Sequence, residues 1–221
     1  MSALPVAFND SLISEGTGDN QFNQEIWLLH GYASNEGDLS ALSPYFGRHH
    51  TIRSLRATFP LPTGGFAWYG IEFDFNGLKE TNLPQAQKSL LLISDALDWH
   101  KSIYPNSPRP VLMGFSQGGI LCNAISFSFP EKVSSIVSIA SYYPLEWPFL
   151  KHIKGKVPHF VALGTEDAVV PISMSIPTFE KAQTDFNIVL EIGTYKMPHS
   201  ISQECFSDII KFIDKSLKIN S

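Results

Sequence analysis

The chain has 221 residues, of which 43% are apolar and 17% charged, and a formal net charge of −5. Such a balance supports one sizeable core in a single domain spanning 1–221 and argues against disorder. Scattered Lys and Arg give no basic patch for nucleic acid. No apolar run is long enough to insert stably in a membrane, and the first 29 residues hold no Lys or Arg to open a secretory leader. Two cysteines, Cys122 and Cys205, make no disulfide framework and no metal cluster, so a metal-free cytoplasmic protein is expected.

The first expected strand is 25–30, a short apolar run. It runs into the turn Leu28-Leu29-His30-Gly31-Tyr32-Ala33. A helix over 37–46 and a strand over 51–57 follow. The next segment, 59–71, is too apolar and aromatic for an ordinary solvated loop. Two readings stay open for it: a loop pinned to the core by its aromatics, or a wall or lid of a substrate pocket with Trp68 as the contact residue. A long helix is predicted over 84–104, with an apolar stripe of Leu90, Leu91, Ile93, Ala96, Leu97 and Ile103.

Residues 109–115 then form an apolar strand that leads into Gly114-Phe115-Ser116-Gln117-Gly118 and a helix over 117–129. A serine on a sharp strand-to-helix turn is pushed out of the sheet, and the flanking glycines keep the tight backbone free of clashes. Cys122 on this helix is read as a small buried filler. A strand over 133–140 precedes the aromatic run Tyr142-Tyr143-Pro144-Leu145-Glu146-Trp147, a second apolar wall. A strand over 158–164 ends in Thr165-Glu166-Asp167. A helix over 172–185, a strand over 188–193, the turn Met197-Pro198-His199 and a helix over 200–217 complete the chain. Strands alternating with helices predict an α/β fold, a mostly parallel central sheet with helices on both faces, and a site beyond the carboxyl ends of the strands.

A neutral serine hydroxyl needs a base. His199 lies on a strand-end loop late in the chain. His159 opens a strand, His152 reads as solvated, and His49, His50 and His100 read as surface or helix-end positions; His30 reads as structural. Asp167, just before the apolar Val169-Val170-Pro171, is the expected orienting acid, with Glu166 its local rival. The order Ser116, Asp167, His199 suits nucleophile, acid and base. Backbone N–H groups of Gln117 and Tyr32 are the expected oxyanion donors.

Together these residues resemble the carboxylesterase/phospholipase family of α/β-hydrolases, which includes acyl-protein thioesterases and lysophospholipases. The likeness runs from about residue 27 to the last helix. It rests on Leu29-His30-Gly31-Tyr32, the stretch from Arg56-Ala57 to Trp68, Gly114-Phe115-Ser116-Gln117-Gly118-Gly119, Gly164-Thr165-Glu166-Asp167 with Val169-Val170-Pro171, and His199. The resemblance implies a serine esterase without a cofactor, acting on a small-molecule ester and often homodimeric. The chain departs from the family pattern at Ala33, at Tyr142, which narrows the expected acyl pocket, and at Pro198. Competing readings are a thioesterase or lysophospholipase with the same machinery, a lactone hydrolase, and a non-catalytic binder on a hydrolase fold.

Overall fold

The computed structural model describes residues 8, 10–16, 24–47, 50–73, 79–151, 155–186 and 188–219. In chain order the strands and helices are β1 (Leu12–Ser14), β2 (Glu25–Leu29), α1 (Glu36–Ser40), β3 (Thr51–Leu55), β4 (Phe59–Pro60), β5 (Phe66–Ala67), β6 (Ile71–Phe73) and β7 (Lys79–Thr81). They continue with α2 (Leu83–Ile103), β8 (Val111–Phe115), α3 (Gln117–Ser128), β9 (Ser135–Ile139), β10 (Pro158–Gly164), α4 (Ile172–Phe186), β11 (Val189–Tyr195) and α5 (Gln203–Ile219). Seven strands form one sheet in the order β1-β3-β2-β8-β9-β10-β11. All neighbours run parallel except the edge strand β1, which pairs antiparallel with β3.

Every residue of β2, β3 and β9 is buried, as a parallel sheet covered on both faces requires. One face carries Trp27, Leu29, Leu55, Leu112, Ile136 and Val161 against α2, α3 and α4. The other carries Ile26, Leu28, Ile52, Val111, Met113 and Phe160 against α1 and α5. Asn82 caps α2 by accepting from the Gln85 N–H, and Pro84 stands in its first turn, where a missing N–H costs nothing.

The six expected strands and the helices around them are present, with ends shifted by a few residues. Three features differ. The expected helix 37–46 is two short pieces, because Pro44 starts a separate 3₁₀ turn over Ser43–Tyr45. The stripe on α2 is narrower than expected: Leu90, Ile93, Ala96 and Leu97 are buried, but Leu91 and Ile103 point to solvent, since adjacent helical positions diverge by about 100°. His100 is not a surface residue. It is buried at the end of α2, its Nε2 3.4 Å from Glu25 Oε1. Arg53 grips the same carboxylate at 2.8 and 2.9 Å. Burial alone would raise Glu25, but the hydrogen bonds from His100 and Arg53 outweigh it and hold the carboxyl at about 2.

Candidate active site

Ser116 sits between β8 and α3 with φ 51° and ψ −116°, a left-handed backbone that strains any side chain. Its N–H donates to Ile139 O (2.8 Å), and its carbonyl accepts from Ile120 N–H (3.0 Å). The flanking glycines have steric reasons. A Cβ on Gly114 would lie 2.4 Å from the Gly118 backbone, and one on Gly118 would lie 2.0 Å from Leu29 O. Among the described residues the non-glycines with positive φ are Ala33, Ser116 and Ala140. They follow β2, β8 and β9, three adjacent strands, so strain of about 1–2 kcal/mol per residue is gathered at one end of the sheet.

Asp167 and His199 leave β10 and β11 at the same end. Asp167 Oδ2 accepts from His199 Nδ1 at 2.7 Å, and Oδ1 accepts from the N–H groups of Val169 (2.8 Å) and Val170 (2.9 Å). With Nδ1–H committed to the carboxylate, Nε2 is left as an acceptor. The Glu166 N–H donates to Met197 O at 3.2 Å, and a Cβ on Gly164 would lie 2.4 Å from that same oxygen, so the two loops meet only over a glycine. The imidazole packs on Phe115, with ring centroids 4.8 Å apart, which places it beside the residue preceding the serine. No hydrogen bond joins Ser116 Oγ to His199 among the described residues; in unliganded sites this contact is commonly long and tightens around substrate. Glu166 is exposed and lies 4.0 Å from Lys196.

The turn after β2 lies over the serine: a Cβ on Gly31 would come within 3.6 Å of Ser116 Cβ. The N–H groups of Tyr32 and Gln117 donate to no protein acceptor among the described residues. His30 is buried, its Nε2 accepting from Ala57 N–H at 3.0 Å and its Nδ1 bonded to Gly31 O at 2.7 Å. Burial lowers its pKa.

The segment 59–71 folds as the β4–β5 hairpin, pinned to this turn by Phe66 N–H donating to Ser34 O at 2.8 Å. Trp68 is not a pocket wall. Its side chain is completely buried and its indole N–H donates to His30 O at 2.9 Å, so this aromatic holds the loop from inside. The sequence reading missed the partner that fastens it. The buried Gln117 side chain accepts from Trp68 N–H (2.8 Å) and donates to Tyr69 O (2.7 Å). A second polar residue on the apolar α3 does similar work: Asn123 Nδ2 donates to Tyr142 O at 3.0 Å. Polar positions inside an otherwise apolar helix were the available signal. Tyr142 itself is half-buried against the α2/α3 layer.

The other histidines sit apart from this cluster. His159 is buried at the start of β10, bonded to Tyr143 Oη at 2.7 Å. His50 is half-buried, and His49 and His152 lie outside the described residues. Cys122 and Cys205 are both buried, and burial raises both thiols. Among the described residues no group of three His, Cys, Asp or Glu side chains is placed to hold a metal ion, and no helix is long and apolar enough to cross a membrane.

A family model described as Phospholipase/Carboxylesterase matches residues 17–217. The chain belongs to this family. Among curated members it is 34% identical to acyl-protein thioesterase 1 of Saccharomyces cerevisiae over 215 residues, covering 88% of this chain and 93% of the yeast protein. The fold matches that of esterase PE8 with a TM-score of 0.79 at 20% identity, over 93% of this chain and 97% of that one. It also matches Zea mays acyl-protein thioesterase 2 with a TM-score of 0.75 at 16% identity, over 94% and 98% of the two chains. As a phospholipase/carboxylesterase family member the chain is a serine hydrolase of the esterase type.

Proposed function

We propose that the protein hydrolyses carboxylic esters of short to medium acyl chains, with Ser116 as nucleophile, His199 as general base and acid, and Asp167 as the orienting carboxylate. The observation that carries this is the 2.7 Å contact between His199 Nδ1 and a fully buried Asp167 carboxylate, beside the strained Ser116. His199 Nε2 takes the Ser116 proton as Oγ bonds to the ester carbonyl carbon. The resulting oxyanion faces the N–H groups of Tyr32 and Gln117. As the tetrahedral adduct collapses, Nε2–H protonates the departing alcohol and an acyl-serine remains. Water, deprotonated by the same nitrogen, then releases the acid and restores Ser116. The proposed substrate is a small-molecule ester and the proposed location the cytoplasm.

The test is Ser116→Ala, which is expected to lower kcat/KM on p-nitrophenyl acetate by about 10⁴-fold or more with an unchanged far-ultraviolet spectrum. A fluorophosphonate probe should label Ser116 in the wild type. Full activity in the variant would end the reading of Ser116 as nucleophile; a folded wild type that stays unlabelled would leave a non-catalytic binder as the better reading. A second reading, thioester hydrolysis, has the yeast relative's name in its favour. Parallel kcat/KM values for an acyl ester, the matching thioester and a lysophospholipid separate these substrates.

A further inference from the structure

A carbonyl carbon bonded to Ser116 Oγ has three substituents to distribute. Its oxygen faces the Tyr32 and Gln117 N–H groups. Its leaving atom must lie within reach of His199 Nε2, which protonates it. The acyl group takes the remaining direction. His199 packs on Phe115, whose ring belongs to the α1/α5 side of the sheet. Tyr142 packs into the α2/α3 side. Tyr142, on the loop leaving the neighbouring strand β9, is thus on the opposite side of the sheet from that imidazole, the side left for the acyl group.

Its position is fixed from several directions. The chain leaves β9 through Ala140, whose φ of 48° turns the loop sharply beside the serine. Ser141 fills the space a Cβ on Gly119 would need, 2.9 Å away. Asn123 Nδ2 holds the Tyr142 carbonyl at 3.0 Å and leaves its own buried Oδ1 without a protein partner among the described residues. The Tyr142 phenol lies near the Thr81 side chain on β7. Burial, and then the Glu146 carboxylate, push that phenol up to about 12, so it stays neutral and able to hydrogen-bond.

Resting on the serine-hydrolase reading, we infer that Tyr142 is the end wall of the acyl site, tied to α3 through Asn123, and that it narrows the proposed range to its short end, acetyl to butyryl. A strained backbone and an unpaired buried amide oxygen are costs that a merely covering loop does not need.

The experiment compares kcat/KM for p-nitrophenyl acetate, butyrate and octanoate in the wild type, Tyr142→Ala and Tyr142→Leu, with fluorophosphonate labelling of each. In the wild type the octanoate-to-butyrate ratio should be below about one tenth. Each methylene newly admitted to a buried site is worth about fourfold, so opening room for two or three raises that ratio by roughly 15- to 60-fold in Tyr142→Ala. Tyr142→Leu should raise it by less. A ratio moving by under about twofold in folded, labelled variants overturns the wall. So does a labelled wild type that turns over octanoate as fast as butyrate, whether or not either variant folds. A wild type that is folded, unlabelled and inactive on all three esters removes the underlying hydrolase reading instead, and the wall with it.

Discussion

Replacing Asp167 by Asn changes one atom in a position where each oxygen already has a partner. Oδ1 accepts two backbone N–H groups, at 2.8 and 2.9 Å, and Oδ2 accepts His199 Nδ1–H at 2.7 Å. The side chain is fully buried, so water cannot substitute. An amide placed with its NH₂ toward Val169 and Val170 would set two donors against a third, at about 1–3 kcal/mol for each buried donor left unpaired. The opposite orientation keeps both backbone bonds and turns the NH₂ toward His199. The imidazole must then offer Nδ1 as acceptor and carry its proton on Nε2, the nitrogen that should receive the Ser116 proton. The fold survives while the base is lost. The expected result for Asp167→Asn is a fall in kcat/KM of about 10⁴-fold, some 5 kcal/mol of barrier. Loss of one charge-assisted bond, about 1–2 kcal/mol, should lower Tm by about 2–8 °C. The assay is initial-rate hydrolysis of p-nitrophenyl acetate at neutral pH beside a thermal melt, with Glu166→Gln as the comparison, because the Glu166 side chain is exposed and, among the described residues, pairs only with Lys196 at the limit of an ion pair. An Asp167→Asn enzyme with more than about a tenth of wild-type kcat/KM, or a Glu166→Gln enzyme that loses as much, would refute the reasoning.

His159 should make the fold acid-sensitive. Burial depresses its pKa from 6.5 to about 4, so the unfolded chain binds a proton that the native state refuses. Its contribution is intact above pH 6.5, declines as pH falls towards 4, and levels off below. Between pH 7 and 5 its loss is roughly 2 kcal/mol, read as a fall in the urea midpoint that His159→Gln should reduce, with His30, also lowered by burial, supplying the remainder. Staying above pH 5 keeps Glu25 out of the comparison, since the Glu25 contribution is lost only as pH falls from 4.5 towards 2. Gly118→Ala should fail for a steric reason: its Cβ would lie 2.0 Å from Leu29 O and 2.7 Å from His30 O, both backbone atoms. A drop in Tm of about 5–10 °C, together with loss of most esterase activity, is expected from calorimetry and the same ester assay.

The layout of strands and helices was legible because parallel strands buried on both faces leave apolar runs that no turn interrupts, as in Val111-Leu112-Met113. The serine turn was legible for a local reason, since Gly114 and Gly118 touch each other four residues apart. Preference for Asp167 over Glu166 followed from the apolar Val169-Val170, whose N–H groups are the ones that hold the carboxylate. What escaped depends on contacts between remote segments. Gln117 reads as a variable letter within the pentapeptide until its amide is seen bridging Trp68 and Tyr69. Trp68, taken alone, fits a pocket as well as a core; only the His30 carbonyl that receives its N–H decides. The burial of His100 depends on Glu25, and no periodicity on α2 announces that. The edge strand β1 is three exposed residues, too short and too mixed to carry a pattern.

Gln117 joins two tasks in one residue. Its main-chain N–H is the proposed oxyanion donor, while its side-chain amide spends one acceptor and one donor on the backbone of residues 68 and 69. Glu keeps the acceptor and forfeits the donor; Asn keeps both but falls a methylene short. The hairpin and the serine turn are therefore coupled as a single mechanical part, and a disturbance at the buried indole is transmitted to the proposed oxyanion site.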